Sequence, residues 1–523
     1  MYIKGFFHFS LFAFHFFSYL CTRNINQLTN MKKKLFLLAL AWSAIITAQA
    51  GGLMTNTNYH IAFDRMMARG ATFDIDAAYS NPAGLAWGHD GWQLSLNFQK
   101  PWQNRDITAT VPNYLAIPAG ANPLFPNGYA GVNIDKKYEG KASAPIVPAL
   151  FASYKKDRWA ISAMIGIVGS GGFVQYDDGI PMFSLMTMGK IFEASVKAKA
   201  AAPTDPSKVI VTPDMYNIDT QVKGKQYIYG AQFNFTYKIL DCLSAAVGVR
   251  ANYYDGYNRG HVTATTLEQL GSQQLMDLQL DVTQRAWGFA PILSINYHKG
   301  PLTLAARYEF RTKINTTNTT DALSVTMMGQ KTDIKATAAQ IGNDATLQAL
   351  AANMGEEMAA KIKNYMPDEN VRYDMPALFV AAVGYEFSPK LRATLEYHFF
   401  DDKNAKMADD RQKELKHGTH EVLAGVEYDI NDKFTVSCGG QRTDYGLSDG
   451  YQQNTSFACD SWSIGLGGAW NINEKIRLNA GYFITLYSDY THNQEKYLGT
   501  SYSGKDVYSR TNNVIGLGID YKF

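Results

Sequence analysis

The feature that most constrains this chain is a period-two alternation of apolar and polar residues that recurs beyond residue 91. The segment 474–487 carries apolar residues at every second position: Ile476, Leu478, Ala480, Tyr482, Ile484 and Leu486. Such alternation gives a β-strand one apolar and one polar face. The apolar face packs either on a second sheet, as in a soluble sandwich, or on lipid, as in a membrane barrel whose polar face lines the lumen.

The connections between the alternating segments favour the membrane barrel. Short polar turns, as at 155–158, 298–301 and 471–475, alternate with long stretches at roughly 102–144, 169–223, 255–282, 315–371, 404–417, 443–460 and 488–509. Bacterial outer-membrane barrels have short periplasmic turns and long extracellular loops. A sandwich has no reason to sort its connections in this way.

Fourteen alternating segments lie between these connections: about 91–101, 145–155, 158–168, 224–237, 242–254, 283–297, 301–314, 372–387, 390–403, 418–429, 432–442, 461–471, 474–487 and 510–523. Each is near the ~9–11 residues that a tilted strand needs to cross a bilayer. An even number allows antiparallel closure with both barrel ends in the periplasm. We therefore predict an all-β fold, a 14-stranded antiparallel transmembrane β-barrel over residues 91–523.

The last of these segments ends the chain on an aromatic residue. Phe523 shares one strand face with Ile515, Leu517, Ile519 and Tyr521. A terminal aromatic on an alternating strand resembles the signal by which the barrel-assembly machinery of Gram-negative bacteria recognises its clients. The resemblance implies that this machinery and outer-membrane lipid are partners of the chain.

Residues 1–50 are predicted to be a leader that is absent from the mature protein. Three lysines at 32–34 form a basic start, residues 35–46 are apolar, and residues 48–50 read Ala-Gln-Ala, a cleavage pattern. We take Met31 as the true start, so that the signal peptide spans 31–50 and the mature chain begins at Gly51. The alternative interpretation takes residues 6–20 as a real membrane segment.

Composition and motifs exclude several other classes of protein. No apolar run of ~20 residues, the length of a membrane helix, follows residue 50. The net charge is +2 and basic residues are interleaved with acidic ones, so we expect no nucleic-acid partner. Neither a nucleophile elbow nor an HExxH motif occurs, nor any Cys/His cluster, so we expect no enzyme, cofactor or metal site. Cys438 and Cys459 flank one predicted loop, and either a disulfide or two free thiols fits that spacing.

Residues 51–90 lack strand alternation and precede the first strand, so they either hang in the periplasm or fold into the lumen, where a barrel of this size leaves space for a plug. They include Asn81, Pro82, Ala83, Gly84 and Leu85. This run, shortly after a signal peptide, resembles the hatch of the long-chain fatty acid outer-membrane transporters, the FadL/TodX-type family. The resemblance implies that residues 51–90 form an N-terminal hatch that plugs the lumen.

Later parts of the chain are also similar to this family. Residues 372–376 resemble the family's entry into a strand, and residues 421–442 resemble its late hairpin. The resemblance covers residues 51–523 in order. The sequence departs from the family in one respect: the glycine-rich run expected before residues 81–85 is reduced here to residues 69–71, Arg-Gly-Ala.

The resemblance implies a route for hydrophobic ligands. They are captured by extracellular loops, pass to an internal pocket, and leave sideways through a gap beside a kinked third strand. The third strand here runs into Gly169, Gly171 and Gly172, which we assign as the exit kink because glycines often mark bulges. The start of a flexible loop is the alternative.

Two groups of residues are predicted to bind the ligand. Loop residues at or near helical spacing offer an apolar stripe for an acyl chain: Leu267, Leu270, Leu347, Leu350, Met354 and Met358. Three arginines should face the lumen, where a guanidinium suits a carboxylate: Arg250, Arg307 and Arg311. The alternatives are loop helices that pack on each other, and ion pairs with lumen acids such as Glu309 and Glu396 or with the hatch.

These observations predict a passive transporter in the Gram-negative outer membrane, for long-chain fatty acids or similar hydrophobic molecules. An importer of aromatic hydrocarbons is an alternative within transport. A surface adhesin or interaction protein that uses the barrel as a stand is an alternative from another class.

Overall fold

The computed structural model describes residues 59–144, 146–327, 330–333 and 365–523. The predicted leader lies outside these ranges. The described strands are β1 (Gly91–Tyr114), β2 (Val132–Ser143), β3 (Val147–Lys156), β4 (Trp159–Tyr176), β5 (Tyr216–Leu240), β6 (Leu243–Thr266), β7 (Gln274–Lys299), β8 (Leu302–Glu309), β9 (Asn315–Met327), β10 (Gln330–Asp333), β11 (Asn370–Arg372), β12 (Leu378–Ser388), β13 (Leu391–Phe400), β14 (Thr419–Asp429), β15 (Phe434–Asp444), β16 (Ser461–Asn471), β17 (Ile476–Tyr487), β18 (Tyr490–Gln494) and β19 (Gly504–Lys522).

The α-helices of the same ranges are α1 (Ile61–Met66), α2 (Ala77–Ser80) and α3 (Pro181–Ala201). Short 3-10 helices occur at Pro82–Trp87, Pro213–Met215, Glu268–Leu270, Asp402–Asn404, Ala408–Glu414, Asp449–Tyr451 and Tyr497–Gly499. Among the described residues, no helix is long and apolar enough to cross a membrane.

The strands form one closed antiparallel barrel. Successive crossings of the wall are hydrogen-bonded to each other, and β1 closes the barrel against β19, from Gln93 opposite Lys522 to Thr110 opposite Lys505. Four crossings are interrupted and count as two strands each: β2 with β3, β8 with β9, β11 with β12, and β17 with β18. The described strands thus make fourteen crossings, with β10 as a hairpin on β9. The predicted 14-stranded barrel is confirmed.

Several strands are much longer than a membrane crossing requires. β5, β6 and β7 have 25, 24 and 26 residues, more than twice the ~9–11 that span a bilayer. The predicted long connection at 255–282 is therefore wrong, because β6 and β7 continue through most of it and pair there. We call the end of the barrel with the short turns the turn end, and the opposite end the loop end.

The apolar face of the wall points outward near the turn end and inward near the loop end. Near the turn end, β1 exposes Trp92, Leu94, Leu96 and Phe98 and buries Gln93, Ser95, Asn97 and Gln99. Near the loop end, the same strand buries Ile107, Ala109 and Val111 and turns polar residues outward: Asn104, Asp106 and Thr108. β6 and β7 show the same exchange. The apolar belt near the turn end is the surface that lipid covers in a membrane barrel.

Candidate functional site

The lumen near the turn end is filled by the chain that precedes β1. We call residues 59–87, which include α1 and α2, the hatch segment. Its α1 begins after His60, whose imidazole Nδ1 accepts a hydrogen bond from the backbone N–H of Ala62 at 3.1 Å, and ends at Met67 with a left-handed φ of 63°. All six residues of α1 are buried. The hatch segment therefore lies in the lumen, enclosed by the barrel wall.

The wall beneath α1 is made of glycines. We call this set the glycine cradle: Gly425, Gly439, Gly465, Gly467, Gly481 and Gly516, on β14, β15, β16, β17 and β19. A Cβ added at Gly439 would lie 1.8 Å from the carbonyl oxygen of Met66, and one at Gly465 would lie 2.4 Å from that of Asp64. The helix backbone thus rests directly on the strands, which only residues without a side chain allow.

Buried charges hold the hatch segment to the wall. Arg65 forms an ion pair with Glu427 of β14 and donates a hydrogen bond to Ser437 Oγ at 2.8 Å. Glu427 also pairs with Arg392 of β13, and its side chain is fully buried. Such pairs contribute little net stability, but removal of one partner leaves an uncompensated buried charge. Sequence reasoning missed Glu427, because its partner became visible only with the hatch in place.

Residues 81–85 pack against three strands that are not part of the glycine cradle. The backbone N–H of Ala83 donates to Ser294 Oγ at 3.0 Å, and Ser244 Oγ donates to the carbonyl oxygen of Ala83 at 2.6 Å. Asn81 is 1 % exposed, and its amide atoms have no hydrogen-bond partner among the described residues. A Cβ on Gly84 would lie 2.3 Å from the carbonyl oxygen of Thr72.

Pro82 and Leu85 are anchored in the same way. Thr236 Oγ1 of β5 donates to the carbonyl oxygen of Pro82 at 2.8 Å, and Leu85 is buried in an apolar cluster. Residues 81–85 thus contact β5, β6 and β7, on the other side of the lumen from the glycine cradle. Its gating role stays a prediction.

The three arginines predicted for the ligand all have partners in the protein. Arg250 is fully buried and pairs with Glu309 of β8. Arg307 donates to the carbonyl oxygen of Tyr79 in the hatch segment, with its guanidinium 4.8 Å from the centre of the Tyr79 ring. Arg311 lies beyond the end of β8, is 38 % exposed and donates to the carbonyl oxygen of Asn404. The prediction that it faces the lumen is wrong, because the chain leaves the alternation of β8 there and buries Thr312 instead. A ligand carboxylate would have to compete with these contacts.

The predicted apolar stripe is only partly within the described ranges. Leu267 and Leu270 lie at the hairpin tip between β6 and β7, and Leu270 is 43 % exposed. They are thus remote from the lumen in this conformation. Leu347, Leu350, Met354 and Met358 lie outside the described residues.

The lumen near the loop end is apolar and contains α3. We call this the loop-end cluster, formed by inward residues of the strands and by the buried face of α3: Ile107, Val111, Tyr138, Tyr176, Phe183, Leu185, Ile191, Val262, Leu278, Leu280, Phe457 and Tyr508 among others. Sequence reasoning missed α3, although Pro181 at a first helical position and Phe183, Leu185, Ile191 and Phe192 after it are a usable helix signal. The loop end is therefore a packed apolar interior and not an open aqueous channel.

The wall is interrupted beside the glycines of β4. Pairing of β3 with β4 ends at Leu150 opposite Ile165, and pairing of β2 with β4 resumes only at Ser143 opposite Phe173. Within this interval β4 has two register shifts against β5, one between Ile167 and Gly169 and one between Ser170 and Gly172. We call this interval, 166–172, the β4 gap. It contains all three predicted exit glycines, Gly169, Gly171 and Gly172; whether ligands leave there stays a prediction.

The cysteines of the described ranges are free thiols: Cys242, Cys438 and Cys459. Cys438 is exposed on the outer face of β15, whereas Cys459 is buried in the loop-end cluster, so the two point to opposite sides of the wall. Burial raises the pKa of the Cys459 thiol to about 11. Of the two alternatives for this pair, the structure has free thiols.

No family model and no curated protein sequence matches this chain. Its structure is similar to a FadL homologue from Pseudomonas aeruginosa, with 14 % identity, a TM-score of 0.57 and coverage of 90 % of this chain and 100 % of that chain. It is also similar to the toluene transporter TodX of Pseudomonas putida, with 12 % identity, a TM-score of 0.51 and coverage of 91 % and 100 %. Together with the apolar belt and the fourteen crossings, these similarities identify the chain as an outer-membrane β-barrel with the FadL/TodX-type fold.

Proposed function

We propose that this barrel carries hydrophobic small molecules, in the first place long-chain fatty acids, passively across the outer membrane. The observation that carries the proposal is the loop-end cluster, because it gives the outward-opening half of the lumen an apolar interior. A general porin has a polar, water-filled lumen instead. Transfer of an acyl chain into an apolar interior is favoured by ~0.8 kcal/mol for each buried methylene, so no covalent step or cofactor is needed.

The half of the lumen near the turn end favours an exit through the barrel wall. The hatch segment, with its buried ion pairs and its glycine cradle, obstructs the straight path to the turn end. The β4 gap lies between the two layers of the lumen and is bordered on the outside by the apolar belt, which exposes Ile165. We propose that ligands captured at the loops pass α3 and leave through this gap into lipid.

Bridging the turn-end edge of the β4 gap should slow uptake. A Cβ on Gly166 would lie 3.4 Å from Cβ of Ala149, close to the ~3.5–4.5 Å that a disulfide spans. We expect the variant A149C/G166C, in a background without other cysteines, to take up labelled oleate about tenfold more slowly when oxidised, a barrier increase of ~1.4 kcal/mol.

The oxidised and reduced forms of that variant are each other's control. Reduction with dithiothreitol should restore the uptake of the cysteine-free parent. Full uptake by the oxidised protein, with the disulfide verified by mass spectrometry, would place the exit elsewhere.

Replacing Asn81, Pro82 and Ala83 by glycines should change uptake without preventing assembly. These residues contact β5, β6 and β7 through the backbone of Pro82 and Ala83, so greater freedom there loosens the hatch segment while the wall keeps its pairing. Heat-modifiable migration on gels reports assembly, and labelled oleate reports uptake. Uptake equal to that of the parent would count against a gating role.

The two alternative functions predict different results in an uptake assay. An aromatic hydrocarbon importer would take up labelled toluene, the compound in the name of the toluene transporter TodX, in preference to oleate. An adhesin on a barrel stand would leave the uptake of both compounds by a transporter-deficient host unchanged. The packed loop-end cluster favours transport, because an adhesin does not need an apolar interior.

Two partners follow from the location of the barrel. Outer-membrane lipid covers the apolar belt. The barrel-assembly machinery is proposed to recognise Phe523, whose ring is largely exposed and whose backbone N–H donates to the carbonyl oxygen of Trp92 at 3.0 Å at the closing seam.

A further inference from the structure

Two arginines lie side by side on the inner face of the closing seam. Arg105 of β1 is directly opposite Arg510 of β19 in the register, and directly opposed residues have Cβ atoms ~4.5–5.5 Å apart on the same face. Arg105 is 2 % exposed. Its guanidinium lies 5.3 Å from the centre of the Phe457 ring, and that of Arg510 lies 4.6 Å from the centre of the Tyr487 ring.

Neither arginine has a counter-charge in the described part of the chain. No carboxylate there forms an ion pair with either side chain, and Nε of both has no hydrogen-bond partner. The bonds that they do donate go to neutral groups, the carbonyl oxygen of Phe457 at 3.2 Å and the amide oxygen of Gln103 at 3.5 Å. The inward acid of β19 toward the loop end, Asp506, instead accepts hydrogen bonds from Tyr497 and Asn454.

This arrangement is unfavourable unless an anion joins it. Like charges directly opposite each other in a sheet repel, and a buried charge without a partner carries a large desolvation cost. Of the other buried lumen arginines described above, Arg65 and Arg250 each have a carboxylate partner, whereas Arg307 donates to the carbonyl oxygen of Tyr79. The Arg105–Arg510 pair differs from all three in placing two guanidiniums directly opposite each other without a carboxylate, so that together they can bind an anion that is not part of the protein.

The position of the pair defines the shape of the anion. The next inward pair toward the turn end is polar, Gln103 opposite Asn512, and the next toward the loop end is apolar, Ile107 opposite Tyr508. The pair thus lies where the inner face changes from polar to apolar. An amphiphile placed there has its acidic head on two planar guanidiniums, which suit a carboxylate, and its tail in the loop-end cluster.

We propose that Arg105 and Arg510 bind the carboxylate of an amphiphilic ligand, whose apolar tail extends into the loop-end cluster. This inference rests on the proposed function and deepens it, because it selects acids over neutral hydrocarbons as cargo. A neutral hydrocarbon has no group for the two charges.

The test compares two ligands with one tail and different heads. Laurate and lauryl alcohol are titrated into the detergent-solubilised mature chain at pH 8, for the parent and for R105Q/R510Q. We expect the double variant to bind laurate about tenfold more weakly or worse, as loss of a hydrogen bond between charged groups implies, with the affinity for the alcohol unchanged. R442Q is the matched control, since Arg442 lies on the outer face of β15 over Trp462.

The remaining outcomes separate this inference from the proposed function. Equal loss for both ligands, or no loss for laurate, would overturn the assignment of the arginine pair while transport stands. If the parent binds neither ligand, the proposed function itself fails. If R105Q/R510Q does not assemble, R105K and R510K keep the charge but lose the planar fork and should weaken laurate selectively. If inorganic phosphate displaces laurate, and the length of the fatty acid tail makes no difference to this displacement, the site binds small anions only. That result would overturn the proposal of an amphiphilic ligand.

Discussion

Adding a single methyl group at Gly439 is expected to unseat α1 from the wall. The new Cβ would lie 1.8 Å from the carbonyl oxygen of Met66, a backbone atom that cannot rotate away. Overpacking of this kind typically costs ~1–3 kcal/mol, and here the cost falls on the contact between the hatch segment and β15. We expect G439A to raise single-channel conductance in planar bilayers and to expose the chain after Arg65 to trypsin.

The neighbouring glycine supplies the control. A Cβ on Gly440 meets only the carbonyl oxygen of Ser463, at 3.5 Å, which is ordinary van der Waals contact. G440A should therefore have the conductance and the protease resistance of the parent. Identical behaviour of G439A and G440A would show that the hatch segment does not rest on the glycine cradle as described.

Replacing Glu427 by glutamine should loosen the hatch segment by a different route. The amide keeps the size of the side chain but leaves Arg65 and Arg392 without their shared carboxylate. Breaking a buried pair typically costs ~3–5 kcal/mol, so we expect hydrogen exchange of the backbone amides of α1 to become much faster, by mass spectrometry of peptides from that region.

The same chemical change on the surface should have almost no effect. Glu193 of α3 pairs with Lys190 and Lys197 and is 42 % exposed. Exposed pairs of this kind contribute ~0–1 kcal/mol, so E193Q should exchange like the parent. If E427Q leaves exchange in α1 unchanged, the ion pair does not hold the hatch segment.

The barrel could be predicted from the sequence because lipid imposes a simple rule on it. Where residues such as Leu94 and Leu96 face lipid, every second position must be apolar, and the short turns mark where the chain reverses. The rule fails once a strand leaves the bilayer. The predicted connection 255–282 includes Leu278 and Leu280, yet these residues belong to β7, where their side chains face the lumen.

The lumen was harder to predict because its contacts depend on the register between distant strands. That Arg250 and Arg307 face inward followed from alternation, and Glu309 was named as a potential partner on the same grounds. The pairing of Arg105 with Arg510 could not be predicted, since it depends on how the first strand meets the last, 405 positions apart in number. The glycine cradle likewise has meaning only when α1 lies against it.

The length of the strands has a consequence for what meets this protein from outside. Because β6 and β7 continue well beyond the lipid belt with polar residues outward, the mouth stands above the head groups as a rigid hydrophilic collar. Antibodies or phages approaching the cell would touch this collar first. Substitutions at its outward positions, such as Gln279 and Thr263, should therefore alter recognition at the cell surface while the chamber inside keeps its chemistry.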